Sequence, residues 1–196
     1  MGFISACCKN APMYRLLGLA LLALAALLPP GAAARDVVID SAVAVVEDGY
    51  LRVDAKATIS VNEDVAEALN NGISLVFIAQ TRLLRPRAFW VDETIAQSRH
   101  VFVLSRHALS ERYTLTEVAG KPAQTFKTIA EATAALGDLP RVLVLSAIRA
   151  GPEENYRGRF RLRLSVEDLP APMRPLAYIS PGWWLSSGWY DWTFTQ

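Results

Sequence analysis

Residues 50–61 alternate without interruption: Leu51, Val53, Ala55, Ala57, Ile59 and Val61 fall on one side, and Tyr50, Arg52, Asp54, Lys56, Thr58 and Ser60 on the other. Successive side chains of an extended chain point to opposite faces, so this period of two specifies a half-buried β-strand and is incompatible with a helix. An apolar run at 37–46 precedes it, and Glu47-Asp48-Gly49 between them has turn composition. Residues 37–61 are therefore predicted to form a β-hairpin with one face in a core.

The rest of the chain reads as further strands with two helical interruptions. Asn62 can cap a short helix that carries Glu63 and Asp64 at its positive end and stops at Asn70-Asn71-Gly72. Residues 73–84 form a second β-type run, ended by Pro86, and shorter candidates follow at 88–91, 101–106 and 112–118. Thr128-Ile129-Ala130-Glu131 has capping-box spacing and opens an alanine-rich helix that Gly137 can close. Strands are expected at 142–148 and 156–166, joined by the turn-like Gly151-Pro152-Glu153-Glu154-Asn155. Pro170, Pro172 and Pro175 argue for an extended crossing segment rather than a helix. Were 188–194 a strand, Tyr190, Trp192 and Phe194 would line one face. The expected fold is mainly β: a single-domain antiparallel two-sheet sandwich, immunoglobulin-like in general architecture, with two short helices. A curled α+β sheet is the alternative.

The chain is 52% hydrophobic, but part of that excess is not core. Residues 16–28 are uninterruptedly apolar; as a helix they span only about 20 Å, short of the roughly 30 Å bilayer interior. Lys9 and Arg15 precede the run with no acidic residue, Pro29 and Pro30 end it, and Ala32-Ala33-Ala34 offers the small residues a signal peptidase reads. Residues 1–34 are predicted to be a signal peptide cleaved before Arg35, leaving 35–196 as one exported, periplasmic, β-rich domain. An uncleaved inner-membrane anchor bearing a periplasmic domain is the alternative.

Cys7 and Cys8 leave with that segment, so the remainder has no thiol for a disulfide, a nucleophile or a metal. Lys9 and Arg15 leave too, and the remaining basic and acidic residues nearly balance, which gives no electrostatic reason to expect nucleic acid as a partner.

Catalytic signatures are missing from the sequence: there is no Gly-x-Ser-x-Gly elbow, phosphate-binding glycine loop or dinucleotide fingerprint. His100 and His107 are the only imidazoles, and on a strand their spacing of seven sends them to opposite faces. Asp92-Glu93, after Trp90, is the most plausible acidic pair, yet neighbours on an extended chain diverge. No catalytic residue, cofactor or metal is expected.

Two patterns stand out. In Tyr156-Arg157-Gly158-Arg159-Phe160-Arg161-Leu162-Arg163-Leu164, a strand would line Arg157, Arg159, Arg161 and Arg163 along one face at about 7 Å intervals. Such a stripe suits bidentate contacts to phosphate or carboxylate groups of lipid headgroups, envelope polymers or an acidic protein; the plainer reading is a solvated face paired with acidic neighbours. Arg82, Arg85 and Arg87 form a second basic cluster. The tail holds Trp183, Trp184, Trp189 and Trp192, which either anchor a core or make an aromatic surface for sugars, apolar ligands or a membrane interface.

Five segments together resemble the proteobacterial domain of unknown function 4390 family: Phe89-Trp90-x-Asp92-Glu93; Arg106-His107-x-Leu109-x-x-x-Tyr113; Phe126-Lys127-Thr128; Leu169-Pro170-x-Pro172-x-Arg174; and Trp184-x-x-Ser187-x-Trp189-x-x-Trp192. They run in order through nearly all of residues 36–195. Leu104 and Ser105 stand where the family pattern has tyrosines. The resemblance implies a small exported domain without an assigned activity, whose gene often neighbours that of a membrane sensor kinase.

The functional expectation is an exported, non-enzymatic interaction module that meets a protein partner in the cell envelope, acts with an envelope-sensing membrane kinase and lies near the membrane surface. One alternative is a lipid- or glycan-binding protein with an aromatic-lined cavity, which leaves room for a small-molecule ligand. The other is a hydrolase using Asp92, Glu93 or His107.

Overall fold

The alternating stretch forms a hairpin: β1 (Val37–Glu47) pairs antiparallel with β2 (Tyr50–Ile59), from Val37 opposite Ile59 to Glu47 opposite Tyr50, with a register shift between Ile39 and Ser41. Leu51, Val53, Ala55 and Ala57 are buried as the period of two requires. These strands belong to a computed structural model that describes residues 36–47, 50–118, 120, 122–145 and 156–192, all within the compact unit Arg35–Gln196. The expected signal peptide with its two cysteines, the first turn at Asp48-Gly49, the 151–155 turn, the strand end 146–148, and Thr193 and Phe194 lie outside the described residues.

The remaining strands are β3 (Leu75–Arg85), β4 (Glu93–His107), β5 (Arg112–Glu117), β6 (Gln124–Phe126), β7 (Asp138–Leu145), β8 (Arg157–Leu164) and β9 (Tyr190–Trp192). They make two antiparallel sheets, one in the order β1-β2-β7 and the other β6-β5-β4-β3-β8-β9. The architecture is thus mainly β with two sheets, like a sandwich, as expected from the alternating segments. Leu51, Val53 and Leu139 from the first sheet and Phe77, Leu104, Phe160 and Leu162 from the second belong to one hydrophobic cluster. Each such buried side chain contributes about 1.5–3 kcal/mol.

Helix α1 (Glu63–Asn70) starts as the sequence indicates, with Asn62 Oδ1 accepting from the Val65 N–H at 3.0 Å. It ends at Gly72, whose φ of +84° is in the left-handed region that favours glycine. Helix α2 (Ile129–Gly137) is capped by Thr128 Oγ1, which accepts from the Glu131 N–H. The Glu131 carboxylate accepts from the Lys127 N–H, one residue before the cap.

Three expectations are corrected. Residues 88–91 are not a strand: β3 ends at Arg85, Pro86 has no N–H to offer, and pairing resumes only at Glu93. The proline-rich segment is not extended. After turns at 171–173 it forms a third helix, α3 (Arg174–Ile179), because Pro175 occupies the first turn, where no N–H is required. Finally, Gly188 at φ +67° interrupts the tail, so its described strand is only Tyr190–Trp192. No described helix is long and apolar enough to cross a membrane.

Candidate functional site

Strand β8 reads arginine and small or apolar residue in turn, and its exposure follows: Gly158, Phe160, Leu162 and Leu164 are buried while the arginines face outward. Pairing of β8 with β3 then decides what surrounds them. Arg157 stands opposite Leu84, Arg159 opposite Arg82, Arg161 opposite Gln80 and Arg163 opposite Ile78. Of the second basic cluster Arg82 therefore adjoins the first, whereas Arg85, one residue past Leu84, falls on the other face over the Tyr156 ring. Leu84 and Ile78 are buried although they lie outside the main core cluster, as expected if the aliphatic stems of the arginines cover them.

Three of the four stripe arginines have carboxylate partners. Arg157 lies 3.8 Å from Asp92, Arg159 Nε donates to Asp191 Oδ1 at 2.7 Å, and Arg163 donates to Glu167 at 3.2 Å. Arg161 instead donates to the amide oxygen of Gln80 and lies over the Trp189 ring, 4.5 Å from its centroid. Arg82 lies over the same ring at 4.8 Å. Among the described residues neither Arg82 nor Arg161 has a carboxylate within ion-pair distance.

The electrostatics mark Arg161 as the centre of this cluster. Burial, first, and the neighbouring charges of Arg163 and Arg82 hold its pKa below the ordinary guanidinium value. It remains a cation at neutral pH. The Nε atoms of Arg161 and Arg163 are buried without a hydrogen-bond partner. Glu167 has the reverse shift: its own backbone N–H, then the Ser165 hydroxyl and Arg163, hold its pKa below the usual carboxylate range.

The four candidate tryptophans separate. Trp183 and Trp192 are buried and belong to the core, so they are not part of an exposed aromatic surface. Trp192 is opposite Gly158 on β8, where the inner face points to the core. Trp184 is exposed, with Nε1 donating to the Ala177 carbonyl, and Trp189 is half-buried on the arginine face. The part that sequence reasoning missed is the union of Arg82, Gln80, Arg161 and Trp189, because these positions meet only through strand order.

The candidate acid–base residues do not converge. Asp92 and Glu93 serve as counterions, Asp92 to Arg157 and Glu93 to Arg85 and Arg87. His107 is at the far end of β4, about 45 Å from Glu93 at the usual rise of an extended strand. His100 is held at 2.9 Å by Glu117 Oε1 on the neighbouring strand. Among the described residues no group of three or more His, Cys, Asp or Glu is placed to hold a metal ion.

The described residues form several clefts, of which two are roomy. One of about 420 Å³ between β2 and α2 is lined by Asp40, Lys56, Thr58, Thr133 and Asp138; another of about 390 Å³ between α1 and α3 includes Ile73, Met173, Leu176 and Trp183. Neither is the aromatic-lined cavity of the ligand-binding alternative, since Trp183 is the one aromatic side chain among their lining residues.

Several motifs behind the family resemblance close local structure. Arg106 donates to the Asn70 carbonyl at the end of α1, and the hydroxyl of Tyr113, opposite it in register, donates to Asn70 Oδ1. Arg174 Nε donates to the Leu169 carbonyl, tying off the proline-rich turn. Comparison with curated proteins and with solved structures returned no match. The family model described as a domain of unknown function, DUF4390, matches residues 34–193, and with most of its length so covered the chain belongs to that family.

Proposed function

We propose that the chain is an exported, non-enzymatic interaction module whose outer face on the six-stranded sheet binds an acidic partner protein in the cell envelope. The observation that carries this reading is the pair Arg82 and Arg161, which share the Trp189 ring and lack a described carboxylate partner while Arg157, Arg159 and Arg163 have one. A sheet that served only as a solvated face has no reason to hold one guanidinium half-buried between two others. A partner carboxylate arriving there gains a charge-assisted, bidentate contact, and Trp189 keeps the receiving guanidiniums in place. The membrane sensor kinase implied by the family resemblance is the partner we propose, through its periplasmic part.

Photo-crosslinking in intact cells tests this. Gln97 and Arg99 stand opposite Arg82 and Gln80 on β4 and are exposed, so a crosslinker at either position sits beside the cluster. The expected result is an envelope-protein adduct, identified by mass spectrometry, that disappears in Arg82→Glu with Arg161→Glu and is not formed from exposed Val43 on the three-stranded sheet. An adduct indifferent to the charge reversal, or formed equally from Val43, overturns the reading.

A further inference from the structure

The β3–β4 connection presents an apolar apex to solvent. Phe89 is 95% exposed, Trp90 82% and Val91 89%. Among the other large apolar side chains described, only Leu109 is more exposed than Trp90, and it stands singly in the turn at the opposite end of β4. Of the motifs noted in the sequence, Thr128, Arg106 with Tyr113, and Arg174 each close local structure, whereas Phe89-Trp90-Val91 packs against nothing in the core. Three consecutive apolar residues in water are a cost that folding alone does not require.

The exposure is built into the neck of the loop. β3 and β4 pair as far as Arg85 opposite Glu93, and Pro86 ends the ladder. Arg87 and Arg85 both pair with Glu93, and Arg157 on β8 pairs with Asp92. Ion pairs on both sides thus hold the base of the loop while its apex projects beyond the sheet. Around that base Arg85, Arg87 and Arg157 form a collar of guanidiniums, which among the described residues lie within ion-pair distance of Asp92 and Glu93.

We infer that this apex inserts into the interfacial layer of an anionic phospholipid membrane, with the arginine collar at the headgroups. A convex apex needs no complementary pocket when the receiving phase is fluid, whereas a protein partner would have to supply a cavity for it. Tryptophan and phenylalanine are suited to the boundary between headgroup and acyl chain, and guanidiniums pair with lipid phosphates. The apex is separate from the Arg82–Arg161 cluster, and the two surfaces stand or fall independently.

The exported protein, its Phe89→Ser/Trp90→Ser variant and Trp90→Phe are compared by sedimentation with vesicles of phosphatidylglycerol and phosphatidylethanolamine, and with vesicles of phosphatidylcholine. Because all three chains share the same N-terminus, any difference belongs to the apex. Binding to the anionic vesicles is expected, falling by about tenfold or more in the double variant, the loss of about 1.4 kcal/mol of partitioning. Trp90→Phe should retain binding while losing the fluorescence component quenched by brominated lipid. Circular dichroism should show the double variant folded, since the replaced side chains touch no core. Equal vesicle binding by wild type and double variant overturns the inference. So does unchanged vesicle binding accompanied by loss of self-association, which would make the apex a contact between copies, or by loss of a crosslinked envelope protein, which would make it a protein-docking element.

Discussion

The indole of Trp192 occupies the place that a side chain on Gly158 would take: a Cβ built there falls onto the ring. This contact joins β9 to β8 at the edge of the six-stranded sheet, where the two residues are direct cross-strand partners. A glycine in mid-strand is otherwise unfavourable, so its presence here is explained by the close approach.

Gly158→Ala is expected to overpack this site and lower unfolding stability by about 1–3 kcal/mol. Trp192→Ala should cost about 3–5 kcal/mol through the cavity it leaves. Combining Gly158→Ala with Trp192→Ala should relieve the clash, so the two losses should not add. Urea denaturation of the three variants measures this, and strict additivity would show that the two positions do not compete for space.

Asn62 works in two directions. Its Oδ1 caps α1 and its Nδ2 donates to the Gly182 carbonyl, 120 residues away in sequence. Asn62→Ala should cost about 2 kcal/mol, of which about 1 is the cap and about 1 the bond to Gly182. Asn62→Ser keeps a capping acceptor but is too short to reach the Gly182 carbonyl, so denaturation should place it between wild type and the alanine variant.

Arg161 trades stability for its position. Arg161→Met loses the bond to Gln80 and the contact with Trp189 but removes a half-buried charge that Arg163 and Arg82 oppose. These terms offset, and the variant should remain within about 1 kcal/mol of wild type. In phosphate or sulfate, compared with chloride at the same ionic strength, the wild-type melting temperature should rise by more than that of Arg82→Met/Arg161→Met, because the anion then has its receiving pair. Calorimetry in the matched buffers decides; equal rises in both proteins would remove anion binding from the cluster.

Glu167 should contribute to the acid limb of stability. Its folded pKa lies below its ordinary value, so the folded state favours the carboxylate and binds fewer protons than the unfolded chain. The contribution is present above the ordinary carboxylate pKa of about 4.3 and is lost as the pH falls through the depressed value. Ser165→Ala removes one of the hydrogen bonds responsible and should move the Glu167 titration, followed by carboxyl NMR, back upward. A titration at the ordinary value in wild type would contradict the geometry at this turn.

Much of the secondary structure follows from short-range rules and is legible residue by residue. The alternation at Leu51, Val53, Ala55 and Ala57 selects strand and buried face together; Asn62 and Thr128 mark helix starts because each side chain satisfies the N–H group three residues on; Gly72 stops α1 because it accepts a positive φ. The family could be recognised from the order of its motifs. Where the rules met a proline the outcomes differ: Pro86 ends a strand as expected, but Pro175 opens a helix, since proline forbids only the interior turns.

The amino-acid order alone determined that β8 carries its arginines on one side, because the period of an extended backbone is a local property. Only the tertiary structure decided that β8 lies beside β3, which puts Arg82 across from Arg159 and brings Trp189 over Arg82 and Arg161. It likewise decided that Trp183 and Trp192 are buried while Phe89 and Trp90 are bare. Hydrophobicity states what a side chain gains by leaving water; whether a neighbour exists to exclude that water depends on pairings between residues far apart in the chain.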